Sequence, residues 1–552
     1  MAARRPGNYR PRIWEDDFVQ SQTSVYMGEE YSKQAAKLKE SVRMMLNEKD
    51  MRLLDQLDLV ATLQRLGIHY HFEVEIKRIL EITYLNNFNN CQDLNAIALQ
   101  FRLLRKEGYQ VPQAFRVTPQ PRVPHEEAGI ALAVKSSTHT FFFFIVEVFN
   151  TLMDEEGKFK KILCMDIKGN ILVKQVSHAL EMPLHWRMQR LETRWFIDNV
   201  HEETECFNPI LLELAKLDFN MVQALYLDEL KHLSRWHKNI NLAEMMGFTR
   251  DSLVKCFLWS VGFSFEPKFW YCRKLSTKLA ELITTIDDMY KHHGTLEELA
   301  IFTDMVDRWD INAMEQLPSS IKMCFLALFN SINELAYDIL KEQNINILPY
   351  FRKSWIDFVK LIWWMQIFGP CLGFNFWSLF NKACLHLYHG SYKINDLDLL
   401  EQNPPLVQWP SLIGRLADVL ATSPVIKILL FSMIFFFYDH WSMNLLFLVW
   451  LFKDEIERGD APKSIQCYMM ETGNSEENVR GYLRDLIGQT WKQMNKEVLM
   501  DRTTSFSKDF VRTAMNFARI SQCMYQYGDG YGRPDGETKR RILSLFFEPI
   551  PL

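Results

Sequence analysis

Two adjacent carboxylates, Asp287 and Asp288, follow the apolar run at residues 279–286 and are the first candidates for chemistry in this chain. Mg²⁺ takes oxygen ligands, and in enzymes it commonly bridges one or two carboxylates to the phosphates of a substrate. The pair could therefore hold a divalent cation. A helix end that carries two solvated acids is the alternative interpretation, and these residues alone leave both open.

Two further patterns have ordinary explanations. The tripeptide His69-Tyr70-His71 could suggest a metal pair, but positions i and i+2 of a helix do not share a face. We therefore expect surface histidines there. The paired Arg4 and Arg5 near the N-terminus are typical of a solvated tail. No basic and aromatic pattern continues from them, so we do not expect nucleic-acid binding.

The composition is that of a soluble globular protein. Of 552 residues, 48% are hydrophobic and 24% are charged, and the net charge of −5 gives no basic field that would recruit nucleic acid. The ten cysteines include no CxxC pair, which favours free thiols in a reducing compartment. A chain of this length is expected to form more than one domain.

Helices must position the candidate residues, because the sequence has helical periodicity. Apolar residues recur at helical spacing in segments 53–66, 210–233 and 321–340, and alternating strand patterns are nearly absent. The sequence predicts an all-α protein. A polar stretch at residues 202–208 predicts a boundary between an N-terminal domain, 1–205, and a C-terminal domain, 206–552.

Two apolar stretches raise the hypothesis of a membrane protein. Residues 361–380 are interrupted by Gly369, Pro370 and Gly373, and residues 425–452 contain a lysine, an aspartate and a histidine. A membrane helix needs about 20 predominantly apolar residues, so we do not expect membrane spans. The basic N-terminus lacks an apolar core and predicts no secretory signal.

Six segments together resemble a known family. They read RRPGNYRPRIW, LLDQLDLVATLQRLGIHYHFEVEIKRIL, QVSHALEMPLHWRMQRLETRWFID, GTLEELAIFTDMVDRWDINAMEQLP, ERGDAPKSIQCYMMETG and CMYQYGDGYG. These segments resemble the angiosperm terpene synthases, and most closely the monoterpene-type branch that carries an RRx8W element. The resemblance implies an α-helical barrel domain followed by a class I terpenoid synthase domain.

The resemblance also implies an activity. Such an enzyme is a carbon–oxygen lyase acting on phosphates in isoprenoid biosynthesis. With Mg²⁺, or with Mn²⁺ as an alternative, it ionises a prenyl diphosphate, here geranyl diphosphate in preference to farnesyl diphosphate. It then converts the carbocation to a monoterpene and releases diphosphate. We expect a monomer, located in the plastid if a transit peptide precedes this start and otherwise in the cytoplasm.

The family's first metal motif, DDxxD, is altered in this chain. Positions i and i+4 project from one face of a helix, so the motif presents its first and fifth residues together. Those positions hold Asp287 and Lys291 here, and the ammonium of Lys291 cannot bind Mg²⁺. Asp288 remains as the second carboxylate. The resemblance therefore assigns Asp287 and Asp288 to the metal, with Asp287 also catalytic.

The second metal motif, (N/D)Dxx(S/T)xxxE, matches Asp418 and Thr422, but its ninth position is Ile426. Removing residues 424–452 brings Glu455 into that position. Removing residues 114–146 similarly restores a family-like sequence near the N-terminus. Both segments are rich in phenylalanine, and we interpret them as insertions from retained introns.

The remaining assignments are carried over from the family. Arg250 matches the first arginine of an RxR loop that contacts diphosphate, and Arg415 matches a diphosphate-binding arginine. Trp259 matches an aromatic of the substrate cavity. Tyr525 and Asp529 match a pair with a proposed role in proton transfer. Because Lys291 and the split second motif both oppose metal binding, the alternative hypothesis is a catalytically inactive or misfolded relative.

Overall fold

The computed structural model describes residues 13–85, 94–109, 111, 174, 177–179, 181–200, 208–242, 252–368, 378, 381–382, 385, 394–422, 465, 468–469, 472–500, 506–530 and 536–552. Every regular element in these ranges is a helix, which confirms the all-α prediction. Arg250, Glu455 and both suspected insertions, 114–146 and 424–452, lie outside the described residues, as do Arg4 and Arg5.

The helices have the following bounds: α1 Asp16–Ser21, α2 Glu29–Leu46, α3 Leu53–Arg65, α4 Glu73–Leu85, α5 Leu94–Lys106, α6 Gln189–Val200, α7 Pro209–Ile240, α8 Leu253–Phe263, α9 Trp270–Asp288, α10 Leu296–Arg308, α11 Ser319–Gln343, α12 Leu348–Phe368, α13 Ile394–Glu401, α14 Pro405–Thr422, α15 Glu476–Met500, α16 Lys508–Tyr525 and α17 Gly536–Phe546. A π-helical turn, Met289–His293, continues α9, and short 3₁₀ turns form at His69–His71, Leu184–Trp186, Pro267–Phe269 and Asn312–Gln316.

The chain divides into two units. The first comprises residues 24–225, 498–502 and 544–552, and the second comprises residues 1–23, 226–497 and 503–543. We call them the N-terminal unit and the catalytic unit. The last nine residues of the chain thus belong to the N-terminal unit, where Asn220 exchanges two hydrogen bonds of 2.8 Å with the backbone of Ile550.

The N-terminal unit packs α3 against α4, α5 and α6, and buries Leu57, Val60 and Leu63 of α3 completely. A buried polar cluster accompanies this core. Asp218 of α7 accepts a hydrogen bond from the Tyr70 hydroxyl at 2.6 Å.

The histidines at 69 and 71 are not surface residues, so the prediction for them is wrong. Only 9% of His69 is exposed, and the Nε2 of His71 lies 2.7 Å from a carboxylate oxygen of Asp218. The segment is a 3₁₀ turn rather than part of an α-helix, and a carboxylate from a distant helix pairs with it. Neither fact can be derived from residues 69–71 alone.

In the catalytic unit, α14 packs against α16, α16 packs against α8, and α8 packs against α9. A buried ion pair joins α9 to α7: the fully buried guanidinium of Arg273 donates to both carboxylate oxygens of Glu229, at 2.6 and 2.8 Å. Gly262 allows α8 to approach α16 closely, since a Cβ at this position would lie 2.5 Å from a side-chain carbon of Ile520.

Within the described part of the chain, α11 is the one helix long and apolar enough to cross a membrane. Core helices of soluble proteins meet the same criteria of length and composition, so this finding is weak evidence for a membrane span. The buried residues of α11 recur at helical spacing along one face: Ile321, Cys324, Phe325, Leu328, Ile332, Leu335, Ala336 and Ile339.

Candidate active site

The C-terminal end of α9 places the acidic pair. Asp287 and Asp288 occupy its last turn, and the π-helical turn that follows closes with a hydrogen bond of 2.9 Å from the Gly294 amide to the Met289 carbonyl. Asp287 is 7% exposed and Asp288 is fully buried. The acids therefore do not form the solvated helix end that was the alternative interpretation.

Lys291 of the π-helical turn forms an ion pair with Asp287. Its Nζ lies 2.6 Å from Oδ2 of Asp287, and the two residues stand at the i, i+4 spacing of the altered motif. The carboxylate that the resemblance assigns to a metal thus already has a cation in contact with it. Charged hydrogen bonds of this length are among the stronger ones in proteins.

Asp418 and Thr422 lie on the last turns of α14. The guanidinium of Arg415 donates to Asp418 at 2.9 Å, and the Thr422 hydroxyl donates to the Asp418 carbonyl at 2.8 Å. Burial raises the pKa of Asp418; the Arg415 and Lys291 cations act in the opposite direction, whereas the Asp529 carboxylate acts in the same direction as burial. The charges that act on the pKa of Asp418 thus belong to the π-helical turn, to α14 and to the segment after α16.

Helix α16 contributes an aromatic contact to the site, and Tyr525 and Asp529 lie at and just after its C-terminal end. Trp259 of α8 is 3% exposed, and its ring centre lies 5.7 Å from that of Phe517 on α16. Tyr525 is the last residue of α16 and is 9% exposed. Asp529 follows in a turn that includes Gly528 at φ +130°, a conformation that suits glycine.

The sequence analysis missed Glu281, a fully buried carboxylate on α9. It accepts hydrogen bonds from Ser252 at 2.8 Å and from the Cys256 thiol at 3.4 Å, and it lies 3.2 Å from Nε2 of His237. Burial acts to raise the pKa of Glu281, but hydrogen bonds from these three groups outweigh it and lower the pKa. The available signal was a glutamate inside the largely apolar run 279–286.

Arg519 on α16 is a second residue that sequence reasoning did not find. Burial lowers the pKa of its guanidinium to about 10, and Arg512 adds to that effect. Its Nη1 donates to Asn516 at 2.6 Å. Arg519 lies on the same helix as Phe517 and Tyr525.

The groups available for a metal ion differ between the two motifs. Across the described ranges, no three or more His, Cys, Asp or Glu side chains are grouped as a metal site would need. On α14, Asp418 offers carboxylate oxygens and Thr422 a hydroxyl oxygen, which are ligands that Mg²⁺ accepts. On α9, the ammonium of Lys291 is in contact with Asp287, and this face does not fit a divalent cation.

Comparison with known proteins matches both halves of the chain. A family model for the terpene synthase N-terminal domain matches residues 13–116, and a model for the metal-binding domain of the terpene synthase family matches residues 238–365 and 450–493. "Terpene synthase 10" of Ricinus communis is 45% identical and covers 100% of this chain and 98% of its own length. The chain belongs to the terpene synthase family. Its two-domain terpene synthase fold is thereby confirmed.

Two further relatives of this terpene synthase are informative. "Myrcene synthase, chloroplastic" of Quercus ilex is 42% identical, over 100% of this chain and 90% of its own. The crystal structure of isoprene synthase from grey poplar, in complex with three Mg²⁺ ions and dimethylallyl-S-thiolodiphosphate, is 34% identical with a TM-score of 0.76, and 98% of this chain and 99% of that chain are covered. The family's metal-binding domain is thus present here.

Proposed function

We propose that this terpene synthase is a carbon–oxygen lyase that ionises geranyl diphosphate and releases diphosphate and a monoterpene. The observation that carries the proposal is the charged pair of Asp418 and Arg415 on α14, 2.9 Å apart, with the Thr422 hydroxyl one helical turn further on. The name of the Quercus ilex relative, a myrcene synthase, supports a monoterpene product.

The cations of this site have a direct chemical role. Diphosphate leaves only if its developing negative charge is neutralised, and fixed cations aimed at that charge lower the barrier because they need no reorganisation during the reaction. Arg415, held by Asp418 at 2.9 Å, is such a cation. We assign it to the binding and orientation of diphosphate, and Arg250 to the same role.

Asp418 and Thr422, with Glu455, are the residues that would hold a divalent cation. When bound, Mg²⁺ acts as a Lewis acid on the phosphate oxygens and supplies several kcal/mol of charge stabilisation. The Mg²⁺ complex of the isoprene synthase supports this cofactor. The Arg415 guanidinium keeps the Asp418 side chain in place on α14.

Carbocation chemistry is assigned to the aromatic side of the site. The face of an indole ring stabilises a cation without acting as a nucleophile, and this is the role we assign to Trp259. Its contact with Phe517 fixes the ring between α8 and α16. Tyr525 and Asp529 are assigned to proton transfer. The chloroplastic name of the Quercus ilex relative supports action in the plastid.

The test is conversion of geranyl diphosphate by the purified full-length chain, with products identified by gas chromatography and diphosphate release measured with Mg²⁺, with Mn²⁺ and with EDTA. We expect a monoterpene in the presence of metal, and less conversion of farnesyl diphosphate. Asp418→Asn should lower the rate about a hundredfold or more, since each 1.36 kcal/mol is tenfold. The matched variant Asp485→Asn, on the exposed face of α15, should leave the rate unchanged.

The alternative, a catalytically inactive relative, is favoured by one observation, the ion pair of Lys291 with Asp287. It predicts a folded chain that gives no product from either diphosphate, also after removal of residues 424–452. That result would refute the proposed activity.

A further inference from the structure

Lys291 and Asp287 differ strongly in their exposure. The Asp287 side chain is 11% exposed, whereas that of Lys291 is 43% exposed, and their charged atoms are 2.6 Å apart. The buried carboxylate therefore holds the ammonium, while much of the Lys291 side chain stays accessible to solvent. This arrangement is that of a cation held in place by the protein.

We propose that the Lys291 ammonium takes the place of a divalent cation on the Asp287 carboxylate and binds a diphosphate group directly. This inference rests on the proposed prenyl diphosphate substrate. It assigns to the α9 face a ligand chemistry, an ammonium with phosphate oxygens, in place of the carboxylate–metal–phosphate bridge that the family resemblance implies there.

The donor groups suit this role. A lysine ammonium carries three donor hydrogens and accepts none, so it can donate to Asp287 and to phosphate oxygens together. A divalent cation on the same carboxylate would need several oxygen ligands and would stand beside a positive charge. Asp288 cannot replace Asp287 as an outward-facing ligand, because it is completely buried.

A second cation, on α14, is held in the same way as Lys291. The guanidinium of Arg415 donates to Asp418 at 2.9 Å, as the Lys291 ammonium donates to Asp287 at 2.6 Å. A diphosphate group, which carries several negative charges, is a ligand that such fixed cations suit.

The first experiment measures binding of inorganic diphosphate by calorimetry in EDTA, with the full-length chain. We expect binding without metal, and weakening of about tenfold or more in Lys291→Met, because charge-assisted hydrogen bonds to phosphate are lost. Lys291→Arg should retain binding. Lys341→Met, on the exposed C-terminal end of α11, is the control and should change nothing. Equal binding by the full-length chain and Lys291→Met would overturn the proposal.

The second experiment counts bound Mn²⁺ by electron paramagnetic resonance. Lys291→Asp should bind one more ion than the unaltered chain, whereas Lys291→Met should not; equal numbers in the unaltered chain and Lys291→Asp would overturn the proposal. Neither measurement requires turnover. A chain that makes no terpene but binds diphosphate through Lys291 refutes the proposed activity alone. A chain that makes a monoterpene and binds metal-free diphosphate equally well without Lys291 refutes this inference alone.

Discussion

Replacing Gly262 with alanine should destabilise the catalytic unit, although alanine is the better helix former. The added Cβ would lie 2.5 Å from Cγ1 and 2.6 Å from Cβ of Ile520. Carbon atoms in contact prefer about 3.5–4.0 Å, so α8 and α16 would have to separate by about 1 Å. Ile520 is fully buried, and its Cβ cannot move away by a change of rotamer.

The two opposing effects differ in size. Glycine to alanine inside a helix gains about 1 kcal/mol, whereas overpacking a close-packed core costs about 1–3 kcal/mol. With the contact on the stiff base of Ile520, we expect the upper part of that range and a net loss of up to about 2 kcal/mol. The melting temperature of the full-length chain, followed by tryptophan fluorescence, should fall by up to about 3 °C.

Gly481 on α15 provides the matched control, because no atom lies within 4 Å of a Cβ built there. Gly481→Ala should therefore stabilise the chain by up to about 1 kcal/mol. The same substitution is thus expected to have opposite signs at two helical sites. If Gly262→Ala melts at or above the temperature of Gly481→Ala, the close approach of α8 and α16 is not what limits residue 262.

Four further outcomes are expected. Arg273→Met leaves the buried Glu229 carboxylate without its guanidinium partner. We expect the free energy of unfolding to fall by about 3–5 kcal/mol, which is more than for Gly262→Ala. A smaller loss in thermal unfolding would show that the pair is not buried in solution. Burial acts to raise the pKa of Asp218, but its hydrogen bonds outweigh burial and lower the pKa. The stabilising contribution of this carboxylate is therefore complete above about pH 4 and is lost as the pH falls through its pKa in the folded state. Asp218→Asn should consequently flatten the acid limb of stability against pH, and an unchanged limb would contradict this. Deleting residues 424–452 should raise the soluble yield, since it removes an apolar segment, and should raise Mg²⁺-dependent diphosphate release, since it completes the metal motif with Glu455. If yield and rate stay equal to those of the full-length chain, the segment is a tolerated loop. Transcripts spliced at both suspected introns should lack 33 and 29 codons, and finding only unspliced RNA would refute that origin.

The helices could be predicted where apolar periodicity was strong. The segment 321–340 lies within Ser319–Gln343, and 210–233 lies within Pro209–Ile240. Periodicity reports which face is buried, and helix ends then differ by a few residues because caps and turns decide them. The contact of Lys291 with Asp287 was also accessible, since i, i+4 neighbours share a face.

Contacts between distant segments could not be predicted in this way. Asp218 determines the environment of His71, 147 positions earlier in the chain, and Glu281 gathers donors from two other helices. A single sequence gives the residue types but not which helices meet. The burial of Asp288 has the same origin, because its exposure depends on what packs against α9.

The membership of residues 544–552 in the N-terminal unit has a consequence for how the chain is made. Translation proceeds from the N-terminus, but Asn220 cannot form its paired hydrogen bonds until Ile550 has left the ribosome. The N-terminal unit therefore gains these two hydrogen bonds only after residues 544–552 have been synthesised. A premature stop codon within residues 544–552 would therefore remove contacts from the N-terminal unit, more than 300 residues earlier in the sequence.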